Sequence, residues 1–197
     1  MLEKNELLPW LIDEHNCKTG VEIGVRDADN AARLLQLTSI YLYGVDIRRW
    51  PQIDQLYNAY PHRFKFYHMA SNLASDFFSD GELDFIYIDA DHNYASVMQD
   101  IIMWYPKLKV GGVFSGDDYC NCWNPAEGQY GIVKAVEEFI EDMDVEISIS
   151  GLGVVSKAER KEYADRNGAL HEDNFTGRKR TENVPVPQWW FIKKDKK

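Results

Sequence analysis

Hydrophobic positions along the chain change period repeatedly, and the alternation predicts the architecture. Residues 20–25 (GVEIGV), 40–47 (IYLYGVDI) and 83–90 (LDFIYIDA) are short runs, rich in β-branched and aromatic residues and largely apolar on both faces, as strands of a buried parallel sheet are. Residues 109–116 (KVGGVFSG) read as a further strand, and 63–69 (RFKFYHM) alternate as a strand nearer an edge does. Between these runs the spacing turns helical. Ala31, Leu34, Leu35 and Thr38 form one stripe; Val97, Met98, Ile101, Ile102 and Tyr105 a second; Ile132, Val133, Val136, Phe139, Ile140 and Met143 a third. Leu7, Leu8, Leu11 and Ile12 predict a covering helix within residues 1–17, with Pro9 in its first turn. Residues 145–150 (VEISIS) and 188–193 (QWWFIK) predict two last strands, separated by a polar stretch over 156–187. That stretch is too long for an ordinary connection, so it is a flap, a partly helical insertion or a disordered loop. Strand and helix in alternation imply right-handed crossovers and a mostly parallel, doubly wound sheet with helices on both faces.

Composition narrows the function classes. A chain of 197 residues fits one α/β domain over 1–197. With 32 acidic against 22 basic residues, its net charge of −10 opposes nucleic-acid and anionic-membrane binding, which leaves small molecules as the expected partners. No apolar run approaches the roughly 20 residues of a membrane span. Residues 1–6 (MLEKNE) are charged and carry no secretory h-region, so the cytoplasm is the expected address. Three cysteines, Cys17, Cys120 and Cys122, cannot pair completely and are expected to be reduced. The pattern leaves self-association open.

Ligands of open parallel sheets bind at the carboxyl ends of the strands, so the chemistry is sought there. The first run ends in Glu22-Ile23-Gly24-Val25-Arg26-Asp27-Ala28, where a glycine lets the backbone approach a ligand and a carboxylate accepts hydrogen bonds from it. The second ends in Asp46, 24 residues beyond Glu22, the place of an acid that grips a ribose diol. Together they suggest an adenosine-containing ligand. The glycine pattern is incomplete, because Arg26 and Ala28 stand where a glycine-rich turn would continue. Further along, Asp89-Ala90-Asp91-His92 and Gly116-Asp117-Asp118 fall at two more strand tips. If those strands are neighbours, Asp89, Asp117 and Asp118 converge, and three carboxylates so close call for a hard divalent cation, Mg²⁺ first. His92 is then the candidate general base.

Residues 85–119, with their IDADHNY and GGVFSGDDY phrases and a helix carrying Asp100 and Trp104 between them, resemble class I S-adenosylmethionine-dependent methyltransferases, and within them the macrocin and cephalosporin-pathway O-methyltransferases, with the catechol and caffeoyl-CoA enzymes as cousins. The resemblance covers about residues 18–145, and the later WWFIKK fits the family's closing strand. It implies a Rossmann-like α/β fold with a C-terminal antiparallel strand. It implies that Glu22 and Gly24 hold the methionine arm of S-adenosylmethionine, Asp46 the ribose and Ser71 the adenine side, with Asp89 among the cofactor contacts. It implies Mg²⁺ on Asp89, Asp117 and Asp118. His92 falls where the catechol-type enzymes place a catalytic lysine. The implied reaction is methyl transfer to a hydroxyl of a small molecule, a sugar or glycosylated natural product first and a catechol-like aromatic second.

Other readings compete. Asp89-Ala90-Asp91 also reads as the D-x-D of a metal-dependent nucleotide-sugar glycosyltransferase, although this leaves Glu22, Gly24 and Asp46 without a role. A non-catalytic S-adenosylmethionine-binding protein is the other alternative. Asp91 is expected to cap the following helix. Tyr94, Trp104 and Tyr105 are expected to pack, and Cys120-Asn121-Cys122 lacks the second pair that a zinc site needs.

Overall fold

In β1 (Thr19–Ile23) and β4 (Leu83–Ile88), alternate side chains serve two different cores. Val21, Ile23, Ile86 and Ile88 face one; Phe85 and Tyr87 face the other. This is the signature of a sheet covered on both sides. The computed structural model describes residues 4–175 and 187–195. It contains an eight-stranded sheet in the order β3-β2-β1-β4-β5-β10-β8-β9, with β2 Tyr41–Asp46, β3 Phe64–His68, β5 Leu108–Gly116, β8 Ser148–Ile149, β9 Gly153–Val154 and β10 Trp189–Ile192, and a separate two-stranded ribbon of β6 Trp123–Asn124 and β7 Gly128–Gln129. Strands β1 to β5 pair in parallel, and β10 runs antiparallel to β5 and β8. The mostly parallel Rossmann-like sheet and the antiparallel closing strand are as the sequence predicts.

Helices α1 (Lys4–Glu14), α2 (Asp29–Leu37) and α3 (Pro51–Ala59) cover one face. The other carries α4 (Ser71–Ala74), α5 (Tyr94–Trp104) and α6 (Ile132–Ile140). The predicted apolar stripes are the buried ones in α1 and α2. Three details differ. Pro9 lies inside α1 rather than in its first turn, because the helix begins earlier, at Lys4. In α5 the buried face is Val97, Asp100, Ile101 and Trp104, so the stripe is rotated and Ile102 is exposed. Helix α3 has no sequence stripe to reveal it: only Ile53 and Leu56 are buried, and its start is marked by Pro51 alone.

The polar stretch between the last strands resolves towards the partly helical alternative. Helix α7 (Lys157–Phe175) occupies its first part, and residues 176–186 lie outside the described residues. Its seat is specific. Asn121 N–H donates to the Ala164 carbonyl at 3.1 Å, and a Cβ added to Gly168 would fall 1.8 Å from the Asn121 carbonyl oxygen, so only glycine lets the helix approach this loop. Beside it, Arg160 donates to the Glu137 carboxylate through Nε at 2.6 Å and Nη2 at 3.0 Å, and the Tyr119 hydroxyl donates to the same carboxylate at 2.6 Å.

Candidate active site

Strand order reverses between β1 and β4, and parallel sheets place their ligand crevice at such a point. The registers Ile23↔Val45, Ile23↔Ile88 and Ile88↔Gly116 bring the tips of β2, β1, β4 and β5 onto one edge. Asp46, Gly24, Asp89 and Asp117 stand there side by side. Gly24 (φ +88°) packs so tightly that an added Cβ would lie 2.0 Å from the Asp89 carbonyl oxygen.

The loop after Gly24 keeps the shape of a glycine turn without the glycines. Arg26 (φ +49°) and Ala28 (φ +67°) both hold the left-handed conformation. Arg26 N–H donates to Asp46 Oδ2 and Arg48 N–H to Asp46 Oδ1, each at 2.8 Å, which fixes the carboxylate at the strand tip. Ionised carboxylate oxygens have lone pairs to spare for a diol.

Two cavities meet at Gly24, Arg26 and Asp89. The larger, about 560 Å³, runs past Asp46, Trp50, Ser71, Asp91 and Asp100. Ser71 is held there by α5: its hydroxyl donates to the Asp100 carboxylate and accepts from Trp104 Nε1 at 3.2 Å. Burial pushes the Asp100 carboxyl up to about 6 in spite of the Ser71 bond. Trp104 therefore packs, as expected, and also supports this loop.

The smaller cavity, about 340 Å³, lies over Glu22, Asn30, Arg33, Tyr87, His92, Asp117 and Gln188. Glu22 is 1% exposed; Asn30 donates to its Oε1 at 3.0 Å, while Oε2 has no hydrogen-bond partner. Burial, helped by the charges of Asp89, Asp46 and Asp27, pushes its carboxyl up to about 8 against the Asn30 bond.

At the rim, one atom each from Asp89, His92 and Asp118 lie within 4.8 Å of one another. His92 Nε2 is 3.2 Å from Asp118 Oδ2 and 3.7 Å from Asp89 Oδ1, and Nδ1 is 2.5 Å from Glu127 Oε2. Burial disfavours its charge, but Asp89, Asp118 and Glu127 outweigh it and raise the imidazole to about 9. As placed, His92 carries a proton at neutral pH. Asp118 takes a left-handed φ of +55° to reach the group, a strained backbone of the kind that collects at functional sites. Asp117 is adjacent but turns to the smaller cavity beside Tyr87 and Gln188, so the compact group has His92 in its place.

Asp91 does not cap α5. Asn93 is the cap, its side chain accepting from Ser96 N–H at 3.1 Å, and Asp91 accepts from Asn93 N–H at 3.0 Å and from Ser96 Oγ at 2.9 Å. Asp91 serves this turn, and the compact metal-competent group among the described residues includes Asp89 but not Asp91, so the geometry gives the D-x-D reading no support. Cys120 and Cys122 face each other at 3.4 Å between sulfurs, buried, and each other's thiol and burial hold Cys120 far above the ordinary thiol range. Neither cysteine joins the metal-competent group found among the described residues.

A family model described as a methyltransferase domain matches residues 19–119, which span every strand tip just described. The chain belongs to the methyltransferase-domain family. This methyltransferase is similar in fold to the Burkholderia thailandensis 1,6-didemethyltoxoflavin-N1-methyltransferase with bound S-adenosylhomocysteine: 12% identity over 98% of this chain and 80% of that one, TM-score 0.60. An O-methyltransferase from Bacillus cereus in complex with S-adenosylhomocysteine gives 13% identity over 98% and 83%, TM-score 0.60. An rRNA methylase from Streptococcus thermophilus gives 10% identity over 99% of both chains, TM-score 0.63. No curated protein matches the methyltransferase in sequence. No described helix is long and apolar enough to cross a membrane.

Sequence reasoning missed Asn30, Tyr87, Glu127 and Gln188. Asn30 and Glu127 carried no motif, since each matters only through its contact with Glu22 or His92. Gln188 stood in a strand run with nothing to mark it as polar and buried.

Proposed function

We propose that the methyltransferase moves a methyl group from S-adenosylmethionine to an oxygen of a small molecule, a sugar or glycosylated natural product first and a catechol-like aromatic second, within one domain spanning 1–197. The observation that carries the cofactor assignment is Glu22: a carboxyl buried beneath the Gly24 cradle with one oxygen lacking a donor. Burying such an acceptor unpaired costs about 1–3 kcal/mol, and an ammonium donor removes that cost. Asp46 suits the ribose diol, and the Ser71 loop borders the adenine side of the larger cavity. Asp89 lines both cavities and so borders the cofactor along its length. S-adenosylmethionine would supply an activated methyl on its sulfonium. The chain's part is to bind both reactants and align the acceptor oxygen with that carbon.

Two carboxylates and an imidazole also suit a divalent cation. Asp89, Asp118 and Nε2 of His92 would hold it, with Asp117 as a neighbouring carboxylate. An imidazole in the set favours a first-row transition ion such as Mn²⁺ over Mg²⁺. Glu127 on Nδ1 is the supporting carboxylate that metal-bound histidines usually have. Such an ion would supply Lewis acidity for an acceptor hydroxyl. The same contact favours a second reading, in which His92 takes the acceptor's proton at Nε2 and passes charge towards Glu127 through Nδ1; this requires the imidazole to be neutral at the start.

The test is calorimetric titration of the protein with S-adenosylmethionine and with UDP-glucose, each with Mg²⁺, with Mn²⁺ and without metal. Micromolar S-adenosylmethionine binding with S-adenosylhomocysteine competing supports the reading. Binding of UDP-glucose alone overturns it.

A further inference from the structure

Glu22 is not the only buried acceptor left without a donor over the smaller cavity. Gln188, immediately before β10, is 3% exposed, and its Oε1 has no hydrogen-bond partner. Its backbone is pinned on both sides: N–H donates to Ser150 Oγ at 2.8 Å and the carbonyl accepts from Ser150 N–H at 2.8 Å. Its Nε2 donates to the Tyr87 hydroxyl at 3.1 Å. Because the Tyr87 hydroxyl is the acceptor for Nε2, the oxygen is the end of the amide without a partner. The amide is thereby oriented with Oε1 left over. Glu22, Tyr87 and Gln188 line one cavity, so the deep wall is rich in acceptors. Arg26 and Arg33 stand on the same cavity, together with Asp27 and Asp29.

A group that satisfies two acceptors at once and carries positive charge is a primary ammonium. We propose that Gln188 binds the α-ammonium of the cofactor's amino-acid arm together with Glu22, with the guanidinium groups of Arg26 and Arg33 left to meet the arm's carboxylate. The inference rests on S-adenosylmethionine being the cofactor. It also places a recognition residue immediately before the closing strand, outside the 19–119 segment that carries the family match. Gln188 thus ties cofactor binding to the end of the polar stretch that precedes β10.

The experiment compares two ligands that share the adenosine and thioether but differ in the arm: S-adenosylhomocysteine, which has the amino-acid group, and 5′-methylthioadenosine, which lacks it. Affinities are measured by calorimetry for the full chain, for Gln188→Leu and for Gln188→Glu. The expected result is a loss of about tenfold or more for S-adenosylhomocysteine with Gln188→Leu, the scale of a lost hydrogen bond to a charged group. With the same variant 5′-methylthioadenosine should stay within about twofold, which also controls for folding. Gln188→Glu, which keeps an acceptor at the position, should retain S-adenosylhomocysteine binding. An unchanged affinity for S-adenosylhomocysteine in Gln188→Leu, or an equal loss for both ligands, overturns the role of Gln188 alone. If the unaltered protein binds neither ligand, the cofactor reading falls and this inference with it.

Discussion

The backbone N–H of Arg26 donates to Asp46 Oδ2 at 2.8 Å, so the turn after β1 and the acid at the end of β2 form one unit. The bond exists because Arg26 accepts a left-handed backbone that a glycine would adopt freely. That conformation costs a non-glycine residue about 1 kcal/mol. The exposed Arg26 side chain contributes no core packing in return. Arg26→Gly is therefore expected to raise stability by up to about 1 kcal/mol, or some 2–4 °C in Tm for a chain of this size. Calorimetric melting checks it, and a lower Tm would mean that the guanidinium stabilises the apo fold.

If Glu22 takes the ammonium as proposed, it links cofactor binding to pH. Its folded carboxyl sits at about 8 against an ordinary 4.5, so between those values the folded chain holds a proton that the unfolded chain has lost. Stability from this group is full below about 4.5 and declines as pH rises towards 8. A cationic ligand draws the carboxyl back to its charged form, so binding should release up to one proton below pH 8. Affinity for S-adenosylmethionine should rise between pH 6 and 8 and flatten above. Titrations in two buffers of different ionisation enthalpy read the proton directly. Glu22→Gln should lose the pH dependence and most of the affinity, yet melt at a higher temperature at pH 8, by the equivalent of at least about 1 kcal/mol.

His92 loses stability in the same direction, over a higher pH window. Its imidazole is raised to about 9 from 6.5, so its ion pairs stabilise the fold fully below pH 6.5 and are lost as pH passes 9. NMR titration of the ring protons should place the midpoint near 9, and Glu127→Gln should bring it down. Adding Mn²⁺ should abolish the titration or move it to lower pH, since a metal displaces the Nε2 proton. A midpoint near 6.5 in the unaltered protein would show that Asp89, Asp118 and Glu127 do not act on the ring. In turnover, His92→Ala should lower kcat by about 10²-fold or more with little change in cofactor affinity.

The Tyr119–Glu137–Arg160 group, which lines neither of the two cavities, offers a separate stability test. Removing one partner of a buried ion pair leaves the other charge uncompensated, at about 3–5 kcal/mol. Arg160→Met should cost that much. Arg160→Met with Glu137→Gln should cost clearly less, and a double variant as unstable as the single would mean that packing, not charge, dominates. Chemical denaturation measures both.

Strands were legible in the sequence because a doubly covered sheet demands continuous apolar runs, and 20–25, 40–47 and 83–90 have little other use. Glu22, Gly24, Asp46 and Asp89 were legible for a related reason: strand tips are few, and polar residues there stand out against apolar neighbours. Side-chain direction was not. Whether Asp117 or His92 joins Asp89 and Asp118 depends on one left-handed residue, Asp118, and on a turn that brings Glu127 to the ring. Neither has a periodicity. Helix α3 went unseen because two buried residues make no stripe, and Asn93 rather than Asp91 caps α5 because both residue types suit a cap and only local geometry chooses.

Gly24, with Arg26 and Asp89, is where the two cavities join, so a molecule long enough to occupy both must pass this junction. On the proposed reading the site treats the cofactor as two tethered ligands, an adenosine and an amino acid, joined through a sulfur. Once one half is seated, the other is held at a high local concentration, and the joint affinity exceeds what either fragment achieves free in solution. Adenosine and methionine offered as separate molecules should bind feebly even together. Removing the methyl acceptor does nothing to this arithmetic, whereas any side chain at residue 24 meets the Asp89 and Ala90 backbone and displaces the wall on which the two cavities join.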